Sequence, residues 1–584
     1  MSMRSPPPPL PLWVYPKHDP ALVKEIIEAF NIHPIAAQIL VSRGFRSMEP
    51  IHDFLYAKLP QLHDPDLFPD MDKALHRILR ALEHQEKILI YGDNDVDGIT
   101  GTTLLTEFFT SLGVTVFAYI PNRTHLNHNL IIDALSYATK HACTLMITVD
   151  CGITDVSEMR EAYHRHIDII VTDHHEPTGR IAHCIATLNP KLQGSTYPNR
   201  EITGVGVAFK LAHAIFNRLI EERKIDPDKI DLKESLDLVA LGTIADMASL
   251  TGENRIFVRY GLKQLRKTKR IGLVKLCQFS DINLPDITSS EVASKITPRI
   301  NSLGRIADPN KGVKILLSQD PLTAETLAKE LNLHNQERRQ VEKKNSDDIH
   351  AKILENPQFL HKKAIVLSSN QWHPGIIPIL ATRIAKQYNR PVVVIAIEGN
   401  VGKGSLRTIP EFPLLPLLRA NKDLLMNFGG HDYAAGLTIA VENIEAFKTR
   451  FILSADSVLK EQDIRSKLIL DSSISFSDLS FEFMESISLL EPFGNDNPVP
   501  IFYSDVKQVW PPKVVGKSHL KFYIDQEGRM LEGIGFGMAY RKVELLKKQL
   551  SLHLAFSLHV NTFLNKSSIQ LQIRDFKPMN PKIL

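Results

Sequence analysis

Short apolar runs alternate with segments of helical spacing between residues 88 and about 249 of the chain. The runs ILIYG, VTVFAYI, TLMITV and IDIIVT predict buried strands. Between the first two, apolar residues recur at helical spacing from Leu104 to Leu112, and Gly113 marks the helix end. This alternation predicts an α/β fold with a parallel sheet covered by helices on both faces.

The pattern changes along the chain, and the changes predict domain boundaries. Helical spacing dominates before the strands, a long polar helical stretch follows them, and a second α/β rhythm comes next. Toward the end, apolar and polar residues alternate, which predicts half-buried antiparallel strands in a small barrel. The predicted divisions are a flexible Pro-rich leader at 1–19, a helical cap at 20–82, a parallel-sheet domain at 83–310, a connecting helix at 311–357, a second α/β domain at 358–463 and a β-barrel at 464–584.

Three aspartates follow the first predicted strand at a spacing of two, namely Asp93, Asp95 and Asp97. In an extended segment, side chains at this spacing project the same way, so their negative charges crowd one small volume and call for a cation. A solvated Asp-rich turn and a calcium-type loop are the alternatives. The calcium loop pattern fails because no Glu stands at its later position and the helix begins too early.

Two further apolar runs end in acids or imidazoles: one in Asp150, the other in Asp173, His174 and His175. The carboxyl ends of parallel strands meet at one edge of the sheet, so these side chains are expected to converge. Asp246 closes the apolar run LVALGTIA and is either a helix-capping or turn residue or a fourth contribution, which we favour. Asp and His ligands without Cys suit Mn²⁺ or Mg²⁺ better than structural zinc.

Composition limits the class of protein. A chain of 584 residues holds about three or four domains, and 43% hydrophobic with 23% charged residues is typical of a globular protein. The net charge of +3 argues neither for nor against nucleic acid. The four cysteines form no CxxC pair, which fits a reducing compartment. Because the sequence shows neither a membrane-length apolar run nor a signal peptide, we expect no membrane association and a cytoplasmic location.

The ordered motifs resemble those of the DHH phosphoesterase superfamily, and most closely those of its RecJ exonuclease family. The resemblance implies a catalytic DHH domain, a DHHA1 substrate-binding domain joined to it by the long helix, and a C-terminal OB fold. The motifs are DNDVD (93–97), VDCG (149–152), TDHH (172–175), GTIAD (242–246), PRINSLGR (298–305), WHPGIIPILATRIA (372–385), GKGSLR (402–407), FGGHDYAAG (428–436) and LEPFG (490–494).

The same resemblance implies a centre of two Mn²⁺ or Mg²⁺ ions. Hydrolysis of a phosphodiester needs cations that neutralise the phosphate and activate water, and two ions can clamp the attacking and leaving oxygens. His175 is expected to contact the phosphate or donate a proton, and Asp173 to orient a histidine. The implied ligands are Asp93 and Asp95 for one ion, Asp97, His174 and Asp246 for the other, and Asp150 between them.

Substrate contacts are also implied by the resemblance. A guanidinium matches the geometry of phosphate, and small donors or backbone amides complete an anion site. One departure is the segment Asn127, His128 and Asn129, which stands where the family usually has Gly-Tyr-Gly; His128 can still stack on a base. The implied substrate-binding residues are Arg123, His128, Asn301, Arg305, Ser405, Arg407 and His431, with Lys517 and Lys521 in the barrel.

The leading hypothesis is a metal-dependent exonuclease that degrades single-stranded DNA from its 5′ end to mononucleotides, in recombination and repair. As partners we expect single-stranded DNA, a RecQ-type helicase and a single-strand-binding protein, with the chain itself a monomer. One alternative is a DHH phosphodiesterase for short RNA or cyclic dinucleotides, which would not need the long chain and barrel. The other is a catalytically silent single-strand-binding scaffold, which would be expected to lose ligands that this chain retains.

Overall fold

The computed structural model describes residues 9–122, 130–154, 156–177, 184–546, 550–563 and 566–579. It divides the chain into two compact units. The unit that holds the expected catalytic domain, called the catalytic unit below, comprises Ser47–Gln336 and Ile487–Val499. The second unit comprises the described residues through Arg46, then Glu337–Ser486 and the described residues from Pro500 onward.

Short helices follow the first strand, as the helical spacing predicts. Asp19 begins the first of them, since its side chain accepts a hydrogen bond from the backbone N–H of Leu22. The elements are β1 (Leu12–Val14), α1 (Pro20–Phe30), α2 (Pro34–Ser42), α3 (Met48–Tyr56) and α4 (Met71–Glu83).

The strand β1 corrects the prediction of a flexible leader at residues 1–19, which is wrong for Leu12–Val14. This strand pairs in parallel with Lys467–Ile469. Trp13 is buried, donates a hydrogen bond of 2.6 Å from Nε1 to Asp575, and lies under the ammonium of Lys577. A buried indole with a hydrogen bond and a cation on its face fixes the strand, although prolines precede it.

The catalytic unit is built on an all-parallel sheet with strand order β3-β2-β4-β5-β6. Ile88 and Ile90 pack into one core with α5 and α8, while Leu89 and Tyr91 pack into another with α6 and α7. The predicted sheet with two covered faces is confirmed. The elements are β2 (Lys87–Gly92), α5 (Val96–Ser111), β3 (Val116–Tyr119), α6 (Leu130–His141), β4 (Cys143–Val149), α7 (Val156–His164), β5 (Asp168–Thr172), β6 (Ala186–Leu188), α8 (Gly204–Glu221), α9 (Leu236–Ala245), α10 (Gly252–Leu265), α11 (Ile271–Gln278), α12 (Ser289–Glu291), α13 (Thr297–Ile306) and α14 (Asn310–Leu317).

The order in which the chain adds strands to the sheet reverses between β2 and β4. From β2 the chain moves to β3 on one side and returns to β4 on the other. In open α/β sheets, ligands bind outside the carboxyl ends of the strands at such a switch point. The segments that follow β2, β4 and β5 therefore lie where this fold places its binding sites.

The long polar helix α15 (Pro321–Glu355) confirms the predicted helical stretch, and the division between the units falls within it. Its start corrects the prediction of a connecting helix from residue 311, because α14 is a separate helix. Asp320 begins α15: its carboxylate accepts hydrogen bonds from the backbone N–H and the hydroxyl of Thr323.

The second unit contains a mixed sheet with strand order β10-β11-β9-β8-β7, in which β7 and β8 are parallel and the other neighbours antiparallel. Helices α16 and α18 pack against it. The predicted second α/β domain is therefore present. The elements are β7 (Ile365–Ser369), α16 (Ile377–Tyr388), β8 (Val392–Glu398), β9 (Val401–Arg407), α17 (Leu414–Ala420), β10 (Leu425–Gly430), β11 (Ala434–Ala440) and α18 (Ile444–Val458).

The C-terminal strands close on themselves, as the alternating pattern predicts. Neighbours run β14-β18-β19-β17-β16, and β16 pairs again with β14. Leu552, Leu554 and Phe556 alternate along β18 and fill the interior. The elements are β12 (Lys467–Ile469), β13 (Ser472–Ser473), α19 (Phe481–Ser488), β14 (Phe502–Gln508), β15 (Lys513–Val515), β16 (His519–Gln526), β17 (Arg529–Gly535), β18 (Ser551–Phe563) and β19 (Lys566–Pro578). None of the described helices is long and apolar enough to span a membrane.

A buried ion pair ties α8 to α10 beneath the sheet. The ammonium of Lys210 lies 2.5 Å from Glu253 Oε1, and both side chains are fully buried. Glu253 also accepts hydrogen bonds from the hydroxyl of Tyr197 and the backbone N–H of His63. Burial lowers the pKa of Lys210 although Glu253 opposes the shift. Each charge therefore depends on its partner.

We expect Glu253→Gln to lower the free energy of unfolding by about 3–5 kcal/mol, because it leaves the Lys210 ammonium buried without a counter-charge. Urea denaturation followed by far-UV circular dichroism measures the change. Glu234→Gln is the matched control, since its pair with Lys269 is exposed, and such a pair contributes about 1 kcal/mol or less. Equal small effects of both substitutions would contradict the assignment.

Candidate metal centre

The acids of three neighbouring strands are aligned by the sheet. Gly92, the last residue of β2, is in register with Val149, which is in register with Thr172. Asp93, Asp150 and Asp173 are the residues that follow these three. Adjacent strands lie about 4.8 Å apart, so the parallel register alone brings the three acids to one place.

The sequence predicts that Asp93, Asp95 and Asp97 lie on one extended segment. This prediction is wrong for Asp97. Helix α5 begins at Val96, so Asp97 lies in its first turn. Asp95 caps the helix: its Oδ1 accepts hydrogen bonds from the backbone N–H groups of Asp97 at 2.9 Å and Gly98 at 3.2 Å. An aspartate at this position favours an early helix start, because it satisfies amides that have no partner within the helix.

Asp97 is held by the N-terminus of α8, a contact that the sequence reasoning missed. Its buried carboxylate accepts hydrogen bonds from the backbone N–H groups of Gly204 at 2.7 Å and Val205 at 2.9 Å. A Cβ on Gly204 would lie 2.5 Å from the Cβ of Asp150, so only glycine allows this approach. The signal in the sequence is Thr203, an N-cap residue followed directly by glycine.

Asp150 directly follows β4 and has a left-handed backbone, at φ 62°. Its side chain is buried, and its Oδ1 lies 3.0 Å from Nε2 of His174. Among the described residues this oxygen has no partner with hydrogen-bond geometry. A buried carboxylate oxygen in that condition is costly in a protein interior, and a bound cation would satisfy it.

Asp173 orients the neighbouring His175. Its Oδ1 lies 2.8 Å from Nδ1 of His175 and accepts hydrogen bonds from the backbone N–H groups of His174 and His175. Burial alone would raise the pKa of Asp173, but the hydrogen bond and charge of His175 hold it below its usual value. Burial disfavours the charge on His175, yet the hydrogen bond and charge of Asp173 outweigh it and raise the pKa of His175 to about 9.

The acids and imidazoles form groups compact enough to hold metal ions. Within each group the ligand atoms lie within 4.8 Å of one another. Asp246 belongs to one of them although it is the C-cap of a helix, so the two alternatives for this residue are not exclusive. The groups are Asp93, Asp95 and Asp150; Asp97, His174 and Asp246; and Asp150, His174 and His175. The assignment of ligands to particular ions stays a prediction.

The pKa values of three of these aspartates are raised in the folded protein. Burial and the nearby charges of Asp246 and Asp95 raise the pKa of Asp97 well above its usual range. Burial and the surrounding aspartates likewise raise the pKa of Asp150, and burial with the charge of Asp95 raises the pKa of Asp246 to about 7. Carboxylates with such pKa values are ionised together only beside cations. Their oxygen-rich set, with one or two imidazoles, fits Mn²⁺ or Mg²⁺.

Comparison with known proteins identifies the family. Models of three domains match in order: the DHH family N-terminal domain at residues 87–243, the DHHA1 domain at 358–454 and the RecJ OB domain at 470–575. The single-stranded-DNA-specific exonuclease RecJ of Bacillus subtilis (strain 168) is 34% identical over 567 residues, covering 96% of this chain and 70% of that protein. The chain belongs to the RecJ family. RecJ of Dickeya dadantii (strain 3937) is 31% identical over 574 residues, covering 94% and 97%.

A solved member of the RecJ family has the same fold. The crystal structure of RecJ from Thermus thermophilus in complex with Mn²⁺ matches with a TM-score of 0.80 at 29% identity, covering 98% of this chain and 80% of that one. The predicted DHH domain, DHHA1 domain and OB-like barrel are thereby confirmed. Their exact bounds stay a prediction.

The RecJ-type substrate residues of the catalytic unit are only partly described. Arg123 and His128 lie outside the described residues. Asn301 and Arg305 lie on α13, in the same unit as the acids. The Oδ1 of Asn301 accepts a hydrogen bond of 3.1 Å from the backbone N–H of Val96, which connects α13 to the first turn of α5.

In the second unit, Ser405 and Arg407 line a pocket of about 530 Å³ on the sheet formed by β9, β10 and β11. Arg407 Nη1 donates hydrogen bonds to the Ser405 hydroxyl and the Leu406 carbonyl. Burial lowers the pKa of Arg407, and no carboxylate among the described residues counters this shift. A half-buried guanidinium in this condition favours an anionic ligand. Sequence reasoning missed Lys403 and Asn427, which also line this pocket, whereas the predicted substrate residue His431 is not part of its lining.

The two predicted substrate-binding lysines of the barrel have different surroundings. Lys517 is exposed between β15 and β16, whereas Lys521 forms an ion pair of 2.8 Å with Glu532 and lies over the ring of Tyr523. Trp510, missed from the sequence, meets Tyr523 edge to face at 5.5 Å and is 48% exposed. The signal in the sequence is that Trp510 directly precedes Pro511 and Pro512, which indicate a turn. Trp510, Tyr523 and Lys521 form one surface patch.

We expect Mn²⁺ to raise the melting temperature more at about pH 7.5 than at about pH 5.5. Asp97, Asp150 and Asp246 have folded-state pKa values above their unfolded values. Their protonated forms therefore stabilise the metal-free protein below about pH 4, and this stabilisation is lost as each group ionises, which for Asp246 happens at about pH 7. Cations bind the deprotonated carboxylates, so stabilisation grows with pH and reaches about 2.7 kcal/mol at a hundredfold excess over Kd.

Differential scanning fluorimetry with and without Mn²⁺ measures this effect. Asp150→Asn should lose most of the gain at the higher pH, while Asp72→Asn, a change to an exposed aspartate of the same unit, should keep it. A gain of equal size at both pH values would contradict the proposed role of these carboxylates.

Proposed function

We propose that this chain is a metal-dependent exonuclease that degrades single-stranded DNA from its 5′ end to mononucleotides. The observation that carries the proposal is the cluster of acids and histidines at the switch point of the catalytic sheet, with Asp97 and Asp150 buried, in a member of the RecJ family. Mn²⁺ or Mg²⁺ bound there supplies charge neutralisation of the phosphate and a water that ionises near neutral pH. We assign Asp93, Asp95, Asp97, Asp150, His174 and Asp246 as the ligands.

His175 is the proposed proton donor to the phosphate. With a pKa of about 9, its ring is protonated at neutral pH. Asp173 engages Nδ1 and fixes the ring orientation, so Nε2 is the atom that would donate to a phosphate oxygen or to the leaving oxygen. The ring is 44% exposed, which is consistent with contact to a substrate.

The remaining residues hold the DNA in this proposal. Arg305, Ser405 and Arg407 are assigned to backbone phosphates because they offer a guanidinium fork or a hydroxyl donor. Arg123, His128 and His431 stay assigned to the substrate on the family resemblance alone. The names of the relatives in Bacillus subtilis and Dickeya dadantii support single-stranded DNA as the substrate.

The barrel is proposed to bind the strand away from the reacting phosphate. OB folds hold single strands by basic side chains and by stacking of bases on aromatic rings. Trp510, Tyr523 and Lys521 supply both kinds of group on one patch. Lys517 adds an exposed cation between β15 and β16.

Partners and location are proposed on the family resemblance. We propose a monomer that acts in the cytoplasm on DNA ends during recombination and repair. A RecQ-type helicase would supply the single strand, and a single-strand-binding protein would keep it open. The described helices offer no membrane span.

The nuclease assay uses 5′-labelled and 3′-labelled single-stranded DNA and the matching duplex, with Mn²⁺ or Mg²⁺. We expect labelled mononucleotide early from the 5′ label, a shortening ladder from the 3′ label, and slow digestion of duplex. Asp150→Ala should lower the rate by at least about 100-fold, since it removes a central ligand, whereas Asp72→Ala should not. Equal digestion of single strand and duplex would contradict the proposed specificity.

We expect Trp510→Ala to weaken binding of single-stranded DNA by about 1–3 kcal/mol, the value of one stacked base. Fluorescence anisotropy with labelled oligonucleotide in EDTA measures binding without cleavage. Tyr163→Ala is the control, because Tyr163 is an exposed aromatic residue of α7 outside the barrel. Unchanged affinity of the Trp510 variant would remove the stacking role.

A further inference from the structure

Helix α13 contacts the loop that carries the acids between β2 and α5. The contact joins residues about 200 positions apart in the sequence, at Asn94, Val96, Asn301 and Gly304. Asn301 and Gly304 belong to the motif PRINSLGR, and the family resemblance implies a substrate-binding role for Asn301. Its position against this loop suggests a different role for Asn301.

The first contact caps helix α5 from outside. Val96 is the first residue of the helix, and its backbone N–H donates to Asn301 Oδ1 at 3.1 Å. Asp95 accepts from the next two amides, those of Asp97 and Gly98. The amides of a helix start have no partner within the helix. Asn301 therefore satisfies the one amide among these three that Asp95 does not.

The second contact fixes the residue between Asp93 and Asp95. Asn94 donates from Nδ2 to the carbonyl of Gly304 at 3.4 Å. A Cβ on Gly304 would lie 2.5 Å from the carbonyl oxygen of Asn94. Glycine at this position is required for the close approach of the two backbones, and the helix and the loop are in direct contact there.

We infer that Asn301 is a positioning residue for the metal ligands Asp93, Asp95 and Asp97, and that it acts through its oxygen rather than by contacting DNA. Without this acceptor, the amide of Val96 would compete for the carboxylate of Asp95, which the proposed site needs as a ligand. Groups that orient ligands in this way change metal affinity without touching the ion. The inference rests on the proposed function, since it requires a metal at these acids.

The substitutions Asn301→Ala and Asn301→Asp distinguish positioning of the metal ligands from direct contact with DNA. Alanine removes the acceptor, whereas aspartate keeps an oxygen for the Val96 amide but removes the amide donor and adds a negative charge. If the oxygen matters, we expect alanine to weaken Mn²⁺ binding by about tenfold or more and aspartate to restore it. If Asn301 instead donates to a phosphate, aspartate should weaken DNA binding more than alanine does.

Isothermal titration calorimetry of the full chain with Mn²⁺ alone measures the Mn²⁺ affinity. Fluorescence anisotropy with single-stranded DNA in EDTA measures the DNA affinity. Asn283→Ala, a truncation of an exposed asparagine of the same unit, is the matched control for both. In nuclease assays at saturating Mn²⁺, the alanine variant should recover kcat with an unchanged KM for DNA. Circular dichroism of each variant confirms folding.

Each outcome decides between the possibilities. Weakened Mn²⁺ binding with alanine, restored by aspartate and with unchanged DNA binding, supports the inference. Unchanged Mn²⁺ binding with weakened DNA binding overturns it and leaves the proposed function standing. Absence of Mn²⁺ binding by the unsubstituted protein overturns both. Gly304→Ala provides a second route: displacement of Asn94 should weaken Mn²⁺ binding as Asn301→Ala does, and an unaffected Mn²⁺ affinity would contradict the positioning role of this contact.

Discussion

Repulsion between buried carboxylates is the constraint on which the catalytic unit depends. Asp97 and Asp150 are almost inaccessible to solvent, and their pKa values are raised by burial and by the charges of the neighbouring aspartates. Backbone amides at the start of α8 and the imidazole of His174 relieve part of this repulsion. The remaining repulsion is relieved only when protons or divalent cations bind to the carboxylates. The feature that makes the metal-free site unfavourable at neutral pH is therefore the one that gives it affinity for metal.

Such a site needs a rigid frame, because the acids would otherwise move apart. The parallel register of β2, β4 and β5 sets the positions of Asp93, Asp150 and Asp173. Asp97 and Asp246 come instead from the two ends of helices, the first turn of α5 and the C-cap of α9. Helices α5 and α9 pack against each other and against α8. The geometry of the site is thus a property of the core, which explains why glycine is needed where these helices approach the acids.

The sequence predicts the edge of the sheet well and the helical contributions poorly. Strand periodicity and parallel topology suffice to bring Asp93, Asp150 and His174 together, since no long-range contact needs to be known. The run before Asp246 is mostly apolar, because α9 is buried from Leu236 to Ile244, so periodicity could not distinguish it from a strand. The amides of Gly204 and Val205 carry no side-chain signal. Trp13 is ordered by Asp575 and Lys577, partners from the other end of the chain that no local pattern can indicate.

The adjacent histidines show how one acidic neighbour can separate two roles. His174 Nε2 lies 3.0 Å from Asp150 and within 4.0 Å of Asp97 and Asp246, so this ring is directed into the acids. His175 is instead held at Nδ1 by Asp173, whose other oxygen accepts from the backbone N–H of Ile153. Because Asp173 is itself fixed at both oxygens, it stabilises the protonated form of His175. An imidazole that must ligate a metal has to be neutral, whereas one that donates to a phosphate has to be charged. For the proposed roles, metal ligation by His174 and proton donation by His175, the position of Asp173 meets both requirements in consecutive residues.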